Sequence, residues 1–458
     1  MVNNRLTLVN VVNETALYRE TRMPALSLAY LSAYVPGNWD VRIVDETVEK
    51  FDAFQHLGDG TDIIGISGGN VCNVPRITKI LDNIELYQGV TGENKTVVLG
   101  GYVGRLNLDG LPGRVDSVVA GPGESVLPIL LNDFLNGGLK PTYQGTRTPM
   151  DMLKSPDFSR FNIPLYGKNI NWPVQTSVSC NNKCSFCSAR SVYGDGYSER
   201  SVDKVLEDMS QIPDGSRVYF TDPNLVDFSP EGLKRAMNFF KGITPRGFSW
   251  FGSVSFKVAG KTDLLKAMQD SGCRGLLIGY DSTTRKSLEK VSNAKVPEGD
   301  NNLSDLYILG TKNIQERFNI PILGTFVIGF DTDDKSVFEN TTRVTRESKM
   351  NDAQYLMFTP LPGTGMYDKL QDSGRIFDED YEHYDFTDVV FQPNNFSPRE
   401  LRNGVVQMYE DTYPRMLKLY RRLGVIRDRP DEIKVVSMKE RAKREAEERM
   451  RRERDDHH

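Results

Sequence analysis

The sequence predicts an α/β protein: an N-terminal doubly wound, Rossmann-like parallel sheet, a (β/α)6 partial TIM barrel and a mostly helical C-terminal segment. Three observations predict it. Short β-branched runs alternate with helical patterns through residues 1–145. A second alternation of six strand–helix units follows a Pro-rich stretch. From about residue 376 the chain turns aromatic and acidic, then helical. These shifts divide it into 1–145, a linker 146–173, a barrel 174–375 and a C-terminal segment 376–458.

In the first piece, LTLVNVV (6–12) reads as a strand, and PALSLAYLSAYV (24–35) as a helix starting on Pro24. Strands follow at VRIVD (41–45), DIIGIS (62–67), TVVLGG (96–101) and VDSVVAG (115–121). PRITKILDNIELY and GESVLPILLNDFLNG supply helices. Ligands of such sheets sit at the C-terminal strand ends. Those ends are Asp45, Ser67-Gly68-Gly69, Gly100-Gly101 and Gly121-Pro122-Gly123-Glu124. Glycines there admit a close backbone approach to a large ligand, or simply make ordinary turns. The sequence contains neither GxGxxG nor a P-loop, so a nucleotide site of those kinds is not supported.

In the barrel, the strands are VQTSVS, RVYFTD, FSWFGSVSF, RGLLIGYD, PILGTFVIGF and AQYLMFTPLP. Helical patterns such as SVDKVLEDM, EGLKRAMNFF and DKSVFENTTRVTRES separate them. Chemistry in such barrels belongs at the C-terminal strand ends. Beyond 376, Tyr381, Tyr384, Phe386 and Phe391 either line an apolar pocket or belong to the core. SPRELRNGVVQMYEDTYPRMLKLYRRLG reads as one or two helices. KERAKREAEERMRRERDD pairs Glu440–Arg444, Glu445–Arg449 and Glu448–Arg452 at i,i+4 with almost no apolar stripe, as in a solvated helix.

Composition narrows the class. The 458 residues are 38% hydrophobic and 26% charged, enough to bury a sizeable core. The net charge of −5 supplies no field toward nucleic acid or anionic membrane. The N-terminal stretch lacks a signal-peptide pattern, and 24–35 is too short to span a bilayer. The expectation is a cytoplasmic protein without a transmembrane segment, where thiols stay reduced and clustered cysteines bind metal or react.

Three of the five cysteines, Cys180, Cys184 and Cys187, stand at CxxxCxxC just after the first barrel strand. Structural zinc needs four ligands, so Cys72, Cys273, His56 or His383 would have to join them. A cubane iron–sulfur cluster held by three thiolates instead keeps one iron open for a ligand.

These residues resemble the radical S-adenosylmethionine (SAM) superfamily, where an aromatic, here Phe186, precedes the third Cys. SGCRGLLIGYDS, GTFVIGFDTDD and FTPLPGTGMYDKLQDSGRI are similar to the fourth-strand, fifth-strand and barrel-closing segments of the class with an N-terminal cobalamin-binding-type domain. Upstream, DIIGIS, TVVLGGYV and VDSVVAGPGESVLPILLNDFLNG look like that class's first domain, and the resemblance covers about residues 5–375. Asp281 replaces the usual Glu of the fourth-strand motif, shortening its reach, and SVSCNNKC lacks the common Gly before and Pro after the first Cys.

The resemblance implies a 4Fe-4S cluster on Cys180, Cys184 and Cys187 that splits SAM reductively to methionine and a 5′-deoxyadenosyl radical. It places Phe186 near the adenine, Asp222 on the SAM ammonium, and Asp281 with Ser282 at the ribose. Gly329 and Phe358-Thr359 would line the adenine. The other use open to Asp222 and Asp281 is to cap the helices that follow them. Cobalamin contacts are implied at Asp45, Ser67, Gly68, Gly100, Gly101 and Gly121. The DxHxxG cobalt-ligand motif is missing, His56 is the one histidine of the first domain, and Tyr102 or Asn70 is a candidate for the lower face. The implied reaction is C-methylation of an unactivated carbon on a small-molecule or lipid substrate, fed by a reducing donor such as flavodoxin or ferredoxin. A radical cyclase without cobalamin is the near alternative, and a non-catalytic metal-binding scaffold the far one.

Overall fold

The computed structural model describes residues 4–12, 22–106, 108, 110–194, 196–297 and 302–413. The charged pairs expected between 440 and 452, and any helix past 413, lie outside these residues.

Six strands form the first sheet: β1 (Asn4–Val11), β2 (Trp39–Asp45), β3 (Ile63–Gly68), β4 (Thr96–Gly100), β5 (Ser117–Ala120) and β6 (Thr142–Gln144). Their order is β2-β1-β3-β4-β5-β6, and every pairing is parallel. The chain reverses direction across the sheet between β1 and β3, which opens a crevice at the strand ends. Buried Leu6, Leu8, Val9 and Val11 make β1 apolar on both faces, as a central parallel strand requires. Sequence patterning missed β6, whose three residues are too short to show a period. The first helix starts at Leu26, two residues later than Pro24 suggested. No side chain caps it; instead the Ala25 backbone N–H donates to Asp45 at 3.1 Å.

The second sheet is entirely parallel and comprises β7 (Asn171–Val174), β10 (Arg217–Phe220), β11 (Ser249–Ser255), β12 (Cys273–Asp281), β13 (Ile322–Ile328) and β14 (Asp352–Met357), in the order β14-β13-β12-β11-β10-β7. Between β7 and β10, β8 (Ser177–Val178) and β9 (Ser198–Glu199) form a short antiparallel pair. The first barrel strand was expected over VQTSVS, but it is NWPV, ending at Val174. The chain must leave the sheet there because Thr176 and Ser177 are bonded sideways to Asp222. Trp250, stacked on Phe240 at 5.2 Å, anchors the core beneath this sheet.

Residues 146–173 are irregular yet packed. Phe158, Phe161 and Tyr166 are buried, and the Asp157 backbone N–H donates to Ala29. Buried Arg200 donates to Leu153 and pairs with Asp208, holding the segment to the barrel. The described residues of the C-terminal segment form a single 3-10 turn at Tyr381–His383 and one α-helix, Pro398–Thr412. Before that, Ile376 bridges Phe391, and Tyr384 and Phe391 are fully buried core rather than pocket lining. Among the described residues, no helix is long and apolar enough to cross a membrane.

Candidate active site

The cysteine loop begins at a brace. Asp222, just past β10, accepts from the Thr176 backbone N–H (3.1 Å), Thr176 Oγ1 (3.0 Å) and Ser177 Oγ (2.5 Å). Ser179 then takes a left-handed φ of +64°, which turns the chain into the loop. Cys184 is buried and Cys180 and Cys187 are half-buried, all three as free thiols. The Cys187 N–H closes a turn on the Cys184 carbonyl, and the Ser185 N–H reaches the Val291 carbonyl at 2.9 Å. Ser292 Oγ lies 2.8 Å from Cys184 Sγ.

Burial pushes the Cys184 thiol up to about 12 and raises Cys187 as well, while the nearby Lys295 ammonium pulls both toward thiolate. The zinc alternative fails for want of a fourth ligand. Cys273 opens β12, at the opposite end of the sheet from the loop. His383 pairs with Asp378 and His56 with Glu49, while Cys72 is buried in the N-terminal unit. Among the described residues, no three His, Cys, Asp or Glu side chains converge on one metal ion. Three thiols on one strand-end loop suit a cluster, whose irons are each bound separately.

The other barrel strand ends surround this loop. A register slip after Gly279 puts Asp281 at a φ of +59° and aims it at Lys295, with Nζ to Oδ2 at 2.7 Å. Ser282 Oγ accepts from the Thr284 N–H, closing a local turn. Gly329 has a φ of +108°, and a Cβ there would meet Leu401 at 2.6 Å. Asp333 takes the Gly329 and Phe330 N–H groups at 3.0 Å each, and Ser287 Oγ at 2.6 Å. Phe186, Phe330, Phe358 and Phe391 form a row with centroid separations of 5.3, 5.4 and 5.1 Å. Arg375 grips Asp331 with both terminal nitrogens, tying the GRI segment to the end of β13.

A cavity of about 430 Å³ lies between the two sheets. Ser67, Gly100, Gly101 and Gly121 line it from the first sheet, and Val178, Val192 and Tyr193, which bracket the cysteine loop, from the second. Gly101 needs its φ of +75°, since a Cβ would stand 2.7 Å from the Gly68 carbonyl oxygen. Glu124 also faces the cavity, and burial raises its carboxyl.

Two relatives are similar to this chain in sequence and one solved structure in fold. Bacteriochlorophyllide d C-12(1)-methyltransferase of Chlorobaculum tepidum is 26% identical over 398 residues, spanning 85% of this chain and 82% of that protein. Hopanoid C-2 methylase of Rhodopseudomonas palustris is 23% identical over 373 residues, spanning 78% of this chain and 66% of that protein. The solved structure of the cobalamin-dependent SAM radical enzyme OxsB, with aqua-cobalamin and SAM bound, superposes with a TM-score of 0.71 at 14% identity, covering 95% of this chain and 70% of OxsB. No family model matches the chain. Over most of its length the chain is thus similar in sequence to curated methyltransferases and in fold to a cobalamin-dependent SAM radical enzyme.

Several residues expected on ligands have partners within the chain. Asp222, expected on the SAM ammonium, is fully buried and braces the cysteine loop. Asp281, expected at the ribose, is ion-paired to Lys295. Asp45, expected to touch cobalamin, lies outside the cavity and accepts from Asn10, Ala25, Thr47 and Tyr166. Gly68 is also off the cavity, and a Cβ there would run into Val103 at 2.7 Å and Ile77 at 2.8 Å. Tyr102 lines the cavity but donates its hydroxyl to the Pro362 carbonyl across the two units. Sequence reasoning missed Asp333, Lys295, Ser292 and Phe330. The acidic GFDTDD run was a usable signal for Asp333; nothing local marks Lys295 or Ser292.

Proposed function

We propose that this chain is a cobalamin-dependent radical SAM methyltransferase that methylates an unactivated carbon of a small-molecule or lipid substrate. One observation carries the reading: Val178, Val192 and Tyr193, which bracket the loop of Cys180, Cys184 and Cys187, line the same cavity as the first sheet's glycine-bearing strand ends. When bound, the cluster and cobalamin supply the electron for SAM cleavage and the methyl carrier, respectively.

The chain's own residues do the rest. Cys180, Cys184 and Cys187 are the residues that would hold the cluster with three thiolates, which would leave it open to SAM. Asp222 holds the loop at its root, and Asp333 holds the Gly329 turn. Phe186, Phe330 and Phe358 form an apolar wall that keeps water from a reactive radical. Ser67, Gly100, Gly101 and Gly121, which line the cavity, would grip the corrin by backbone and shape. The free thiols fit a reducing, cytoplasmic setting and a flavodoxin- or ferredoxin-type donor.

Anaerobic reconstitution tests this. With dithionite, SAM and cobalamin, the wild-type chain should form 5′-deoxyadenosine and S-adenosylhomocysteine, and Cys184→Ala should form neither. A wild-type chain that takes up one zinc, no sulfide and no corrin overturns the reading.

A further inference from the structure

We propose that Ser292 and Lys295 set the reduction potential of the cluster on the cysteine loop, an inference that rests on the cluster reading above. Ser292 ends the helix Arg285–Ser292, and Lys295 follows three residues later. Ser292 Oγ is 2.8 Å from Cys184 Sγ, with both residues buried. An iron-bound thiolate carries no proton, so in the loaded protein the serine hydroxyl is the donor. A hydrogen bond to a cluster sulfur withdraws charge and favours the reduced state.

Lys295 adds to the effect. Its ammonium acts electrostatically on both Cys184 and Cys187 from a largely buried position, where screening is weak. The 2.7 Å pair with Asp281 fixes it there and partly offsets its charge. Gly279 leaves room for the pair, since a Cβ would stand 3.2 Å from Lys295 Nζ and 3.3 Å from Asp281 Oδ1. The Ser185 N–H to Val291 carbonyl bond locks this segment to the loop. Cation and anion therefore act on the cluster with opposite signs. The redox step is uptake of one electron by the oxidised cluster from an external reductant, with no bond made or broken and no proton moved.

The test uses the reconstituted full chain, without SAM, in an EPR-monitored titration with dithionite after iron and sulfide are counted. Lys295→Met should make reduction at least tenfold less favourable, ~59 mV more negative for one electron. Ser292→Ala should shift it the same way by a few-fold, Ser292→Thr should hold the wild-type value, and Asp281→Asn should shift it positive. If Lys295→Met does not fold, Ser292→Ala, which removes one oxygen, carries the test. Loaded variants that titrate with the wild type overturn the inference and leave the cluster reading standing. A wild type that holds no cluster overturns both.

Discussion

At the barrel rim, Asp222, Asp281 and Asp333 each take backbone, hydroxyl or ammonium donors within 3.1 Å. At the matching rim of the first sheet, the cavity meets Ser67, Gly100, Gly101 and Gly121. The buried, fully bonded Asp45 of that sheet stands outside the cavity. On the proposed function, the difference follows what each rim would hold. Three thiolates must converge at fixed positions, so their loop is clamped by charge-assisted bonds that act strongly where water is excluded. A large, amide-fringed ring would be gripped over a wide area, so the second rim would need backbone without side chains.

Breaking the clamp should have the largest effect. Asp222→Ala leaves the Thr176 and Ser177 donors buried without an acceptor, costing on the order of 3 kcal/mol. Urea titration should show that loss, together with low iron content and little change in corrin uptake. A methyl group on either rim sharpens the contrast. Gly101→Ala and Gly329→Ala both force a side chain into left-handed backbone and into contact, at roughly 1–3 kcal/mol each. Gly101→Ala should lower cobalamin affinity with iron binding kept, and Gly329→Ala should weaken SAM binding with cobalamin kept; equilibrium titrations separate the two.

Tyr166→Phe removes the 2.6 Å bond that ties the linker segment to Asp45, and should cost about 1 kcal/mol in thermal or chemical denaturation. The smallest effect concerns Glu124. Burial raises its carboxyl above the ordinary 4.5, so the folded chain holds that proton to higher pH than the unfolded chain does. Its contribution to stability is therefore present below 4.5 and is lost as pH climbs through the folded value. Glu124→Gln should flatten that part of the stability–pH curve, and an unchanged curve would mean that water reaches the carboxyl freely.

Much of the fold was legible because its signals are local. Runs such as DIIGIS and RGLLIGYD are apolar and β-branched within a single strand, and the three cysteines share one loop. Short or displaced pieces were not: β6 has three residues, and the first barrel strand gives way at Val174 because a carboxylate 46 positions away captures Thr176. Of the candidate site, spacing located the cysteines, and strand-end reasoning found Ser67, Gly100, Gly101 and Gly121 on the cavity. It placed Asp45 and Asp222 on ligands, where the structure bonds each within the chain, since the same position suits a ligand or a brace.

By itself, then, the sequence determined the alternation of strands and helices, the cysteine loop and its place after the first barrel strand. Tertiary structure alone decided which carboxylates face a ligand and which are consumed as braces. Asp45 meets Tyr166 across 121 positions and Cys184 meets Ser292 across 108. Such pairings depend on how separate strands and helices pack, and no local periodicity encodes them.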